Sequence, residues 1–416
     1  MTISPKIDID RLASEIETLA GFSDAPPPAV TRVLFTSQDL AARDYLKGLF
    51  TAVGLDVRVD AVGNIFARWH GGDPSAAAVG TGSHTDAIPH SGRYDGTVGV
   101  LGGLEAIRSL QAAGFQPKRS IELLMFTSEE PTRFGMGCIG SRLLSGAIDA
   151  VAAAALRDEE GESFEDVRLA AGCKGTIGDA RLDNDFYAAF VELHIEQGPL
   201  LEQEKLPIGV VTAIAAPAAL RVIFDGRGGH AGGVLMRDRA DALVAGAELA
   251  VHVETAALQL GGEDTVATTG VLDVHPRAIN SIPSRVMLEI DVRDIDLARR
   301  DLVLEDIRRR AGEIAQQRQQ QLTIEMINAD PPATCDPAVV GAIVDACEAA
   351  GASYKKMISR AYHDSLFMSL IAPTSMIFIP CREGVSHRPD EYSSPNEIAK
   401  GVEVLAHSLA HLSQKT

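Results

Sequence analysis

Four side chains that could do chemistry lie within residues 81–99: His84, Asp86, His90 and Asp95. His84 and Asp86 are two residues apart, the spacing of a metal ligand and its orienting carboxylate on an extended segment. Asp95 precedes Gly96, and a glycine lets the backbone approach another group closely. A His-x-Asp sequence is also common on protein surfaces, so this stretch alone does not define a site.

Five separated residues are of types that ligate metals: His84, Asp95, Glu130, His194 and His387. Borderline divalent ions such as Zn²⁺ and Mn²⁺ accept imidazole and carboxylate ligands together. A site for two ions needs one bridging carboxylate and about two further ligands for each ion, and this set meets that requirement. Glu129, next to Glu130, would then be the general base for a water activated by the metals.

Each of these residues also has a plain structural interpretation. Glu129 and Glu130 alone would usually be a solvated acidic pair, and His194 could be a hydrogen-bonded core histidine. His387 could be an ordinary loop residue, and His230, which lies among glycines, could belong to a turn. Spacing by itself does not join these residues into one site.

Alternating apolar strands and helices predict an α/β protein with a mixed, mainly parallel sheet sandwiched by helices. Residues 81–99 are predicted to connect a strand to a helix, the usual position of sites in such folds. Residues 147–190 are predicted to be mostly helical. The other predicted strands are Asp56–Asp60, Asn64–Arg68, Ser120–Thr127, Phe190–Ile195 and Thr374–Ile379, and the helices include Ser37–Val53, Val98–Leu110, Pro337–Ala350 and Ser394–Leu412.

A second domain is predicted because 416 residues are too many for one compact core. From about residue 212 the pattern becomes two β-α-β units, which suggest a small α+β domain. We predict this inserted domain at residues 213–328 and a metal-binding catalytic domain formed by residues 1–212 and 329–416. The strands of the insert are predicted at Leu220–Phe224, Thr265–Leu272 and Arg285–Val292, and its helices at Arg239–Ala256 and Leu297–Gln316.

The composition excludes several classes of partner. A net charge of −19 and a pI of about 5.0 disfavour nucleic acid and anionic membranes, and no long uncharged apolar segment predicts a membrane span. Because the protein carries this negative charge, an anionic substrate would need a local Arg or Lys to bind it. Five scattered cysteines without a CxxC pair, and an amphipathic N-terminus without a secretory signal, predict a cytoplasmic protein.

Six motifs between residues 82 and 391 together resemble one family. They are Gly82-Ser-His-Thr-Asp, Tyr94-Asp-Gly, Ser128-Glu-Glu, Glu192-Leu-His-Ile-Glu-Gln-Gly-Pro, Gly229-His-Ala-Gly and Ser386-His-Arg-Pro-Asp-Glu. The whole chain resembles the dinuclear metallohydrolases that include carboxypeptidases, aminoacylases, allantoate amidohydrolases and carbamoyl-amino-acid amidohydrolases. The segments 86–96, 126–135, 359–368 and 377–381 are similar to those of the ureidoglycolate amidohydrolases of purine degradation.

The resemblance implies a metal centre and a base. Asp95 would bridge two divalent ions, and the remaining ligands would be His84 and His194 on one ion and Glu130 and His387 on the other. Asp86 would orient His84, and Glu129 would be the base and later the proton donor. Mn²⁺ is favoured by the resemblance, whereas Zn²⁺ and Co²⁺ also suit these ligands.

The resemblance also implies a lid and a homodimer. The smaller domain would close over the site and form the dimer, and the partner subunit would supply a histidine matching His230. With Asn280, this histidine would stabilise the oxyanion, and Arg293 would hold the substrate carboxylate. The remaining pocket residues would be Gln197, Tyr362 and His363.

The activity expected from the resemblance is hydrolysis of the ureido group of (S)-ureidoglycolate to glyoxylate, ammonia and carbon dioxide. The alternatives are an allantoate amidohydrolase and an N-carbamoyl-L-amino-acid hydrolase or 3-ureidopropionase, for which Tyr362-His363-Asp364 is the discriminating sequence. A dipeptidase is less favoured because His194 replaces a carboxylate. A non-catalytic binding protein on the same scaffold is disfavoured by the intact ligand set and Glu129.

Overall fold

The computed structural model describes residues 4–415 and divides into two compact units. The first unit comprises Met1–Thr212, Cys335–Ser359 and His363–Thr416, and the second comprises Ala213–Thr334 and Arg360–Tyr362. The strands are β1 (Val30–Arg32), β2 (Asp56–Val59), β3 (Ile65–Trp69), β4 (Ala78–His84), β5 (Ala87–Ser91), β6 (Ile121–Phe126), β7 (Tyr187–Ile195), β8 (Ile208–Ile214), β9 (Ala216–Asp225), β10 (Gly229–His230), β11 (Val266–His275), β12 (Ser281–Ile282), β13 (Arg285–Asp294), β14 (Gln321–Ala329), β15 (Ala333–Thr334), β16 (Tyr354–Ser359) and β17 (Thr374–Ile379).

Twelve α-helices accompany these strands in the part of the chain from residue 4 to residue 415. They are α1 (Ile9–Ala20), α2 (Ser37–Ala52), α3 (Thr97–Ala112), α4 (Ile139–Ser145), α5 (Ala150–Ala155), α6 (Phe164–Ala170), α7 (Leu200–Glu204), α8 (Ala242–Leu260), α9 (Leu297–Gln317), α10 (Pro337–Ala349), α11 (Asp364–Met368) and α12 (Pro395–Gln414). Local sequence explains several starts: Asp8 caps α1, Thr36 caps α2, and Ser394 with Glu397 forms a capping box at α12.

The first unit is built on a mixed sheet in the order β8, β17, β7, β4, β6, β3, β2, with β16 paired to β8. β4 runs parallel to β6 and β7, β17 runs parallel to β7, and the outer pairs are antiparallel. Every residue of β4, β6 and β17 is buried, as expected for parallel strands covered on both faces. The α/β fold class predicted from the sequence is confirmed.

The second unit contains a four-stranded antiparallel sheet in the order β11, β13, β9, β14. Alternate residues of β13 are buried, because α8 and α9 cover one face of this sheet. By length and composition alone α8 could cross a membrane. Its inner face packs in the core through Ala245, Leu249 and Val253, and Glu248 forms an ion pair with Arg318, so we assign α8 to this core.

Two local predictions were wrong. Residues 81–99 are not a simple strand-to-helix connection, because β5 pairs antiparallel with β1 before α3 begins. Residues 147–190 contain only α5, α6 and the short 3₁₀ helix Ile177–Ala180 ahead of β7. Gly172, which follows the end of α6, has φ of +89°, a conformation that ends helices. Gly161 and Gly175 have φ of +84° and +85° in the irregular segments between the helices.

Candidate active site

The turn before α3 places Asp95 against the end of β4. Gly96 in this turn has φ of +62°, and a Cβ atom there would lie 2.4 Å from ring atoms of His84. The Gly96 N–H donates to Nε2 of His194, on β7, at 3.2 Å. Only glycine leaves room for His84 here, and the tight turn brings one carboxylate beside two imidazoles.

The segment that follows β6 is held by hydrogen bonds on two sides. The amides of residues 138–140 donate to the carbonyls of residues 127–129 at 2.8–2.9 Å. The carboxylate of Asp86 accepts from the amides of Glu129 at 3.3 Å and Glu130 at 3.0 Å. Ser128 has φ of +56°, a conformation that persists in non-glycine residues when the surroundings impose it. These contacts fix the backbone of both glutamates.

The two carboxylate oxygens of Asp95 face two different groups of possible metal-ligand atoms. Oδ1 lies 3.1 Å from Nε2 of His194 and 3.7 Å from Nε2 of His84. Oδ2 lies 3.3 Å from Nε2 of His387, and that nitrogen lies 3.3 Å from Oε1 of Glu130. Within each group the donor atoms are within 4.8 Å of one another. A carboxylate that bridges two cations requires this arrangement.

The charges of the cluster suit divalent cations. Burial opposes protonation of His84, but the nearby carboxylates of Glu129 and Asp95 raise the pKa of His84 well above its usual range. Hydrogen bonds to Asp95 and Glu130 raise the pKa of His387 to about 11. Both shifts follow from the excess of negative charge around these imidazoles, which a bound cation would neutralise. Three imidazoles and two carboxylates are a suitable donor set for Mn²⁺, Zn²⁺ or Co²⁺.

Glu129 lies beside the two groups. Its Oε2 is 3.6 Å from Nε2 of His84, and the thiol of Cys138 is 3.6 Å from its Oε1. Burial raises the pKa of Glu129 well above its usual range, whereas His84 opposes this shift. A buried carboxyl group with a raised pKa is suited to accept and release a proton.

Asp86 contacts His84 mainly through its main chain. Nδ1 of His84 lies 3.1 Å from the carbonyl oxygen of Asp86 and 3.7 Å from its Oδ1. A hydrogen bond from Nδ1 to a carbonyl fixes the imidazole so that Nε2 faces the donor cluster. Burial raises the pKa of the Asp86 carboxyl group to about 6.

Two predicted substrate contacts belong to the first unit and lie close to the ligands. Nε2 of Gln197 donates to Oδ2 of Asp95 at 2.7 Å. His363 is only 2% exposed, its ring centroid is 4.4 Å from that of His194, and its Nε2 is 3.0 Å from Oγ of Ser359. His363 therefore packs against a ligand rather than presenting an open surface.

The other four predicted substrate contacts belong to the second unit and form two pairs. His230 is exposed on β10, and the Ala231 amide donates to the carbonyl of Asn280, just before β12, at 2.9 Å. Arg293 forms an ion pair with Asp291 at 2.8 Å, and its guanidinium carbon lies 6.0 Å from the ring centroid of Tyr362.

Sequence reasoning assigned no role to four residues that hold this site. Cys138 contacts Glu129, and Ser386 donates to Oδ2 of Asp95 at 2.6 Å. Glu391 accepts from the Asp95 amide, and buried Arg32 donates to the Thr85 carbonyl at 2.8 Å. Ser386 and Glu391 lie in the motif Ser386-His-Arg-Pro-Asp-Glu, which could have indicated them, whereas Cys138 and Arg32 carry no such local signal.

Comparison with known proteins gives consistent results. The sequence model that describes peptidase family M20/M25/M40 matches residues 80–411 of this chain. A ureidoglycolate hydrolase of Oryza sativa subsp. japonica is 55% identical over 98% of this chain and 85% of its own length. One of Arabidopsis thaliana is 53% identical over 99% of this chain and 88% of its own.

Solved structures agree with the sequence relatives. The crystal structure of AtUAH in complex with (S)-hydroxyglycine is 53% identical, covers 99% of both chains and has a TM-score of 0.91. The complex of AtUAH with glyoxylate gives the same values. The family match spans most of this chain, and the chain belongs to peptidase family M20/M25/M40.

Proposed function

We propose that this protein is a metal-dependent amidohydrolase that cleaves the ureido group of (S)-ureidoglycolate. The observation that carries the proposal is the division of Asp95 between two donor groups, with His84 and His194 on one side and Glu130 and His387 on the other. The substrate follows from relatives at 53–55% identity and from AtUAH, which binds (S)-hydroxyglycine and glyoxylate.

Two divalent ions, with Mn²⁺ favoured, are part of the proposal. Asp95 would bridge them, and the four other ligands would complete the two sites. When bound, the ions polarise the ureido carbonyl and make the attacking water more acidic, which matters because a urea carbonyl is a poor electrophile.

The first unit supplies the groups that move and hold protons. Glu129 accepts a proton from the attacking water and transfers it to the leaving nitrogen, for which its buried position beside His84 suits it. Water adds to the ureido carbon, the bond to the terminal nitrogen breaks, and ammonia leaves. Loss of carbon dioxide then gives hydroxyglycine, which releases a second ammonia and becomes glyoxylate.

The proposal assigns substrate recognition largely to the second unit. Arg293 would bind the substrate carboxylate with its planar guanidinium, and Tyr362 would support it, since the two side chains are already neighbours. His230 and Asn280 would stabilise the oxyanion, with His230 supplied by the partner subunit of a homodimer. Gln197 and His363 would complete the pocket.

Exposed apolar side chains on the second unit support a homodimer formed through this unit. Val244, Val251 and Leu258 are 43%, 66% and 79% exposed on α8 and are seven residues apart, which is typical of a helix that packs against another helix. The neighbouring edge strand β11 exposes Val271 and Leu272. Burial of these side chains against a second copy would also cover the unpaired strand edge.

The proposed location of the protein is a reducing compartment such as the cytoplasm. All five cysteines are free, and four of them are buried. Neither nucleic acid nor a membrane is proposed as a partner, because the chain has a net charge of −19.

The test is ammonia release by the Mn²⁺-reconstituted protein with ureidoglycolate, allantoate, N-carbamoylglycine and 3-ureidopropionate side by side. We expect a strong preference for ureidoglycolate, with glyoxylate as the final product. A preference for allantoate would retain the metal centre and Glu129 but overturn the substrate. No ammonia from any of the four by a protein that binds metal would refute the proposed function.

A further inference from the structure

Glu391 is a buried carboxyl group with three hydrogen-bond partners at the candidate metal centre. Oε1 accepts from the amide of Tyr94 at 2.8 Å and from the amide of Asp95 at 3.1 Å. Oε2 lies 2.9 Å from the hydroxyl oxygen of Ser386. Glu391 is only 4% exposed, and neither of its oxygens is one of the candidate metal donors.

The hydroxyl of Ser386 extends this contact to the side chain of Asp95. Its Oγ is 2.6 Å from Oδ2 of Asp95, the oxygen that faces His387 and Glu130. Glu391 therefore contacts Asp95 twice, directly at the amide and through Ser386 at the carboxylate. Because Ser386 precedes His387, the same contacts join the loop of one ligand to the turn of another.

The turn that carries Asp95 is held by hydrogen bonds to Glu391. Tyr94 and Asp95 lie just before Gly96, the N-cap residue of α3. Their amides both donate to Glu391, which is 297 and 296 residues away in the chain. Without Glu391, the buried amides of Tyr94 and Asp95 would lose their hydrogen-bond acceptor, next to the carboxylate that faces both groups of candidate metal ligands. Gly92 packs so closely that a Cβ atom there would lie 2.4 Å from Glu391.

We propose that Glu391 is a positioning residue that holds Asp95 in the orientation needed to bind two metal ions. The proposal rests on the metal centre of the proposed function but not on the identity of the substrate. Partners that orient metal ligands usually change metal affinity by about 10–100-fold when they are removed. Loss of Glu391 should therefore weaken the binding of both ions, because Asp95 faces both donor groups.

The test measures Mn²⁺ binding directly, from the electron paramagnetic resonance of free Mn²⁺, with no substrate present. We expect Glu391→Ala to raise the dissociation constants by about 10–100-fold. Glu391→Gln should stay close to the wild type, because its carbonyl still accepts from both amides and its NH₂ can donate to Ser386. In activity assays, excess Mn²⁺ should restore much of the kcat of Glu391→Ala, which general damage to the fold would not allow.

Glu397 is the matched control. Its carboxylate accepts from the amide and the hydroxyl of Ser394 at 2.9 and 2.6 Å in the same C-terminal segment, and it caps α12 rather than the Asp95 turn. Glu397→Ala should bind Mn²⁺ like the wild type. Equal weakening in Glu397→Ala and Glu391→Ala, or normal Mn²⁺ binding by Glu391→Ala, would overturn the positioning role.

Two further variants decide the matter if Glu391→Ala does not fold. Glu391→Asp shortens the side chain by one methylene, and Ser386→Ala removes only the hydroxyl link to Asp95. Both should weaken Mn²⁺ binding, and normal binding by both would overturn the proposal. A wild-type protein that binds Mn²⁺ but leaves ureidoglycolate intact would refute the proposed function alone, whereas a wild type that binds no Mn²⁺ would refute both.

Discussion

Gly96→Ala should disable the candidate metal centre by displacing one of its ligands. The new Cβ atom would lie 2.4 Å from ring atoms of His84, whereas ordinary contact begins at 3.4 Å. The difference, 3.4 − 2.4 Å, means that the imidazole or the turn must move by about 1 Å to regain ordinary contact. His84 is enclosed at the end of β4 and is only 1% exposed, so little space is open to its ring.

The expected loss follows from this displacement. Metal–ligand distances are held within about 0.2 Å, and a reacting group misplaced by about 1 Å can lose about 10²-fold in rate. We therefore expect fewer bound Mn²⁺ ions and a fall in kcat/KM of at least about 10²-fold. The backbone of residue 96, with φ of +62° and ψ of −44°, lies outside the conformations that side-chain-bearing residues usually adopt. Alanine there therefore adds a penalty of about 1–3 kcal/mol in stability, which is independent of the metal.

Gly114→Ala is the control that separates these two effects. Gly114 follows the other end of α3 with φ of +71°, and a Cβ atom there would meet nothing within 4 Å. Both variants should lower the melting temperature, but only Gly96→Ala should lose Mn²⁺ and activity, measured by metal analysis and ureidoglycolate turnover. Full metal content and near wild-type kcat/KM in Gly96→Ala would refute the inference that this contact shapes the site.

Three other predictions test the base, the partner histidine and the second unit. Glu129→Gln should keep its Mn²⁺ but lose about 10²–10⁴-fold in kcat, and more than about a tenth of the wild-type rate would contradict its role as base. His230→Ala should lower kcat/KM by about 10²–10³-fold, and normal kinetics would exclude an oxyanion contact. Burial opposes ionisation of Asp294, but hydrogen bonds from Arg299 and Thr265 lower its pKa below the ordinary 3.8. Because the folded state favours the ionised form, Asp294→Asn should lower the melting temperature at pH 7. The difference in melting temperature between variant and wild type should shrink as the pH falls below 3.8, and a difference that does not depend on pH would contradict a stabilising role of the ionised carboxylate.

The sequence predicted the elements whose pattern is local. Most strands of the first sheet and the long helices α8 and α9 follow from apolar periodicity and lie within a few residues of their predicted positions, whereas β8 and β16 were not predicted. The ligand residues could be named because their motifs resemble one family. Their arrangement around Asp95 depends on neighbouring strands far apart in the chain, which periodicity does not encode.

The missed features share a physical cause. β5 pairs with β1 through residues 55 to 61 apart in the chain, namely Arg32 with Ala87 and Val30 with Ser91. Arg32 reaches Thr85 across 53 residues, and Glu391 reaches Asp95 across 296. Each contact joins segments whose local sequences show no preference for one another. Gly96 was recognised as a position of close approach, but only the structure shows that the approaching group is the ring of His84.

Two of the candidate ligand segments of the first unit are each held by a carboxylate from a different segment. Asp86 holds the amides of Glu129 and Glu130, and Glu391 holds the amide of Asp95. The main chain at Glu130 and Asp95 is therefore fixed by contacts within one unit, independently of any substrate. The proposed contacts to the substrate carboxylate and oxyanion instead belong to the second unit. Under this division, substitutions in the second unit should change which ureido compound is cleaved while Mn²⁺ binding stays constant, and substitutions of Glu391 should change Mn²⁺ binding for every substrate alike.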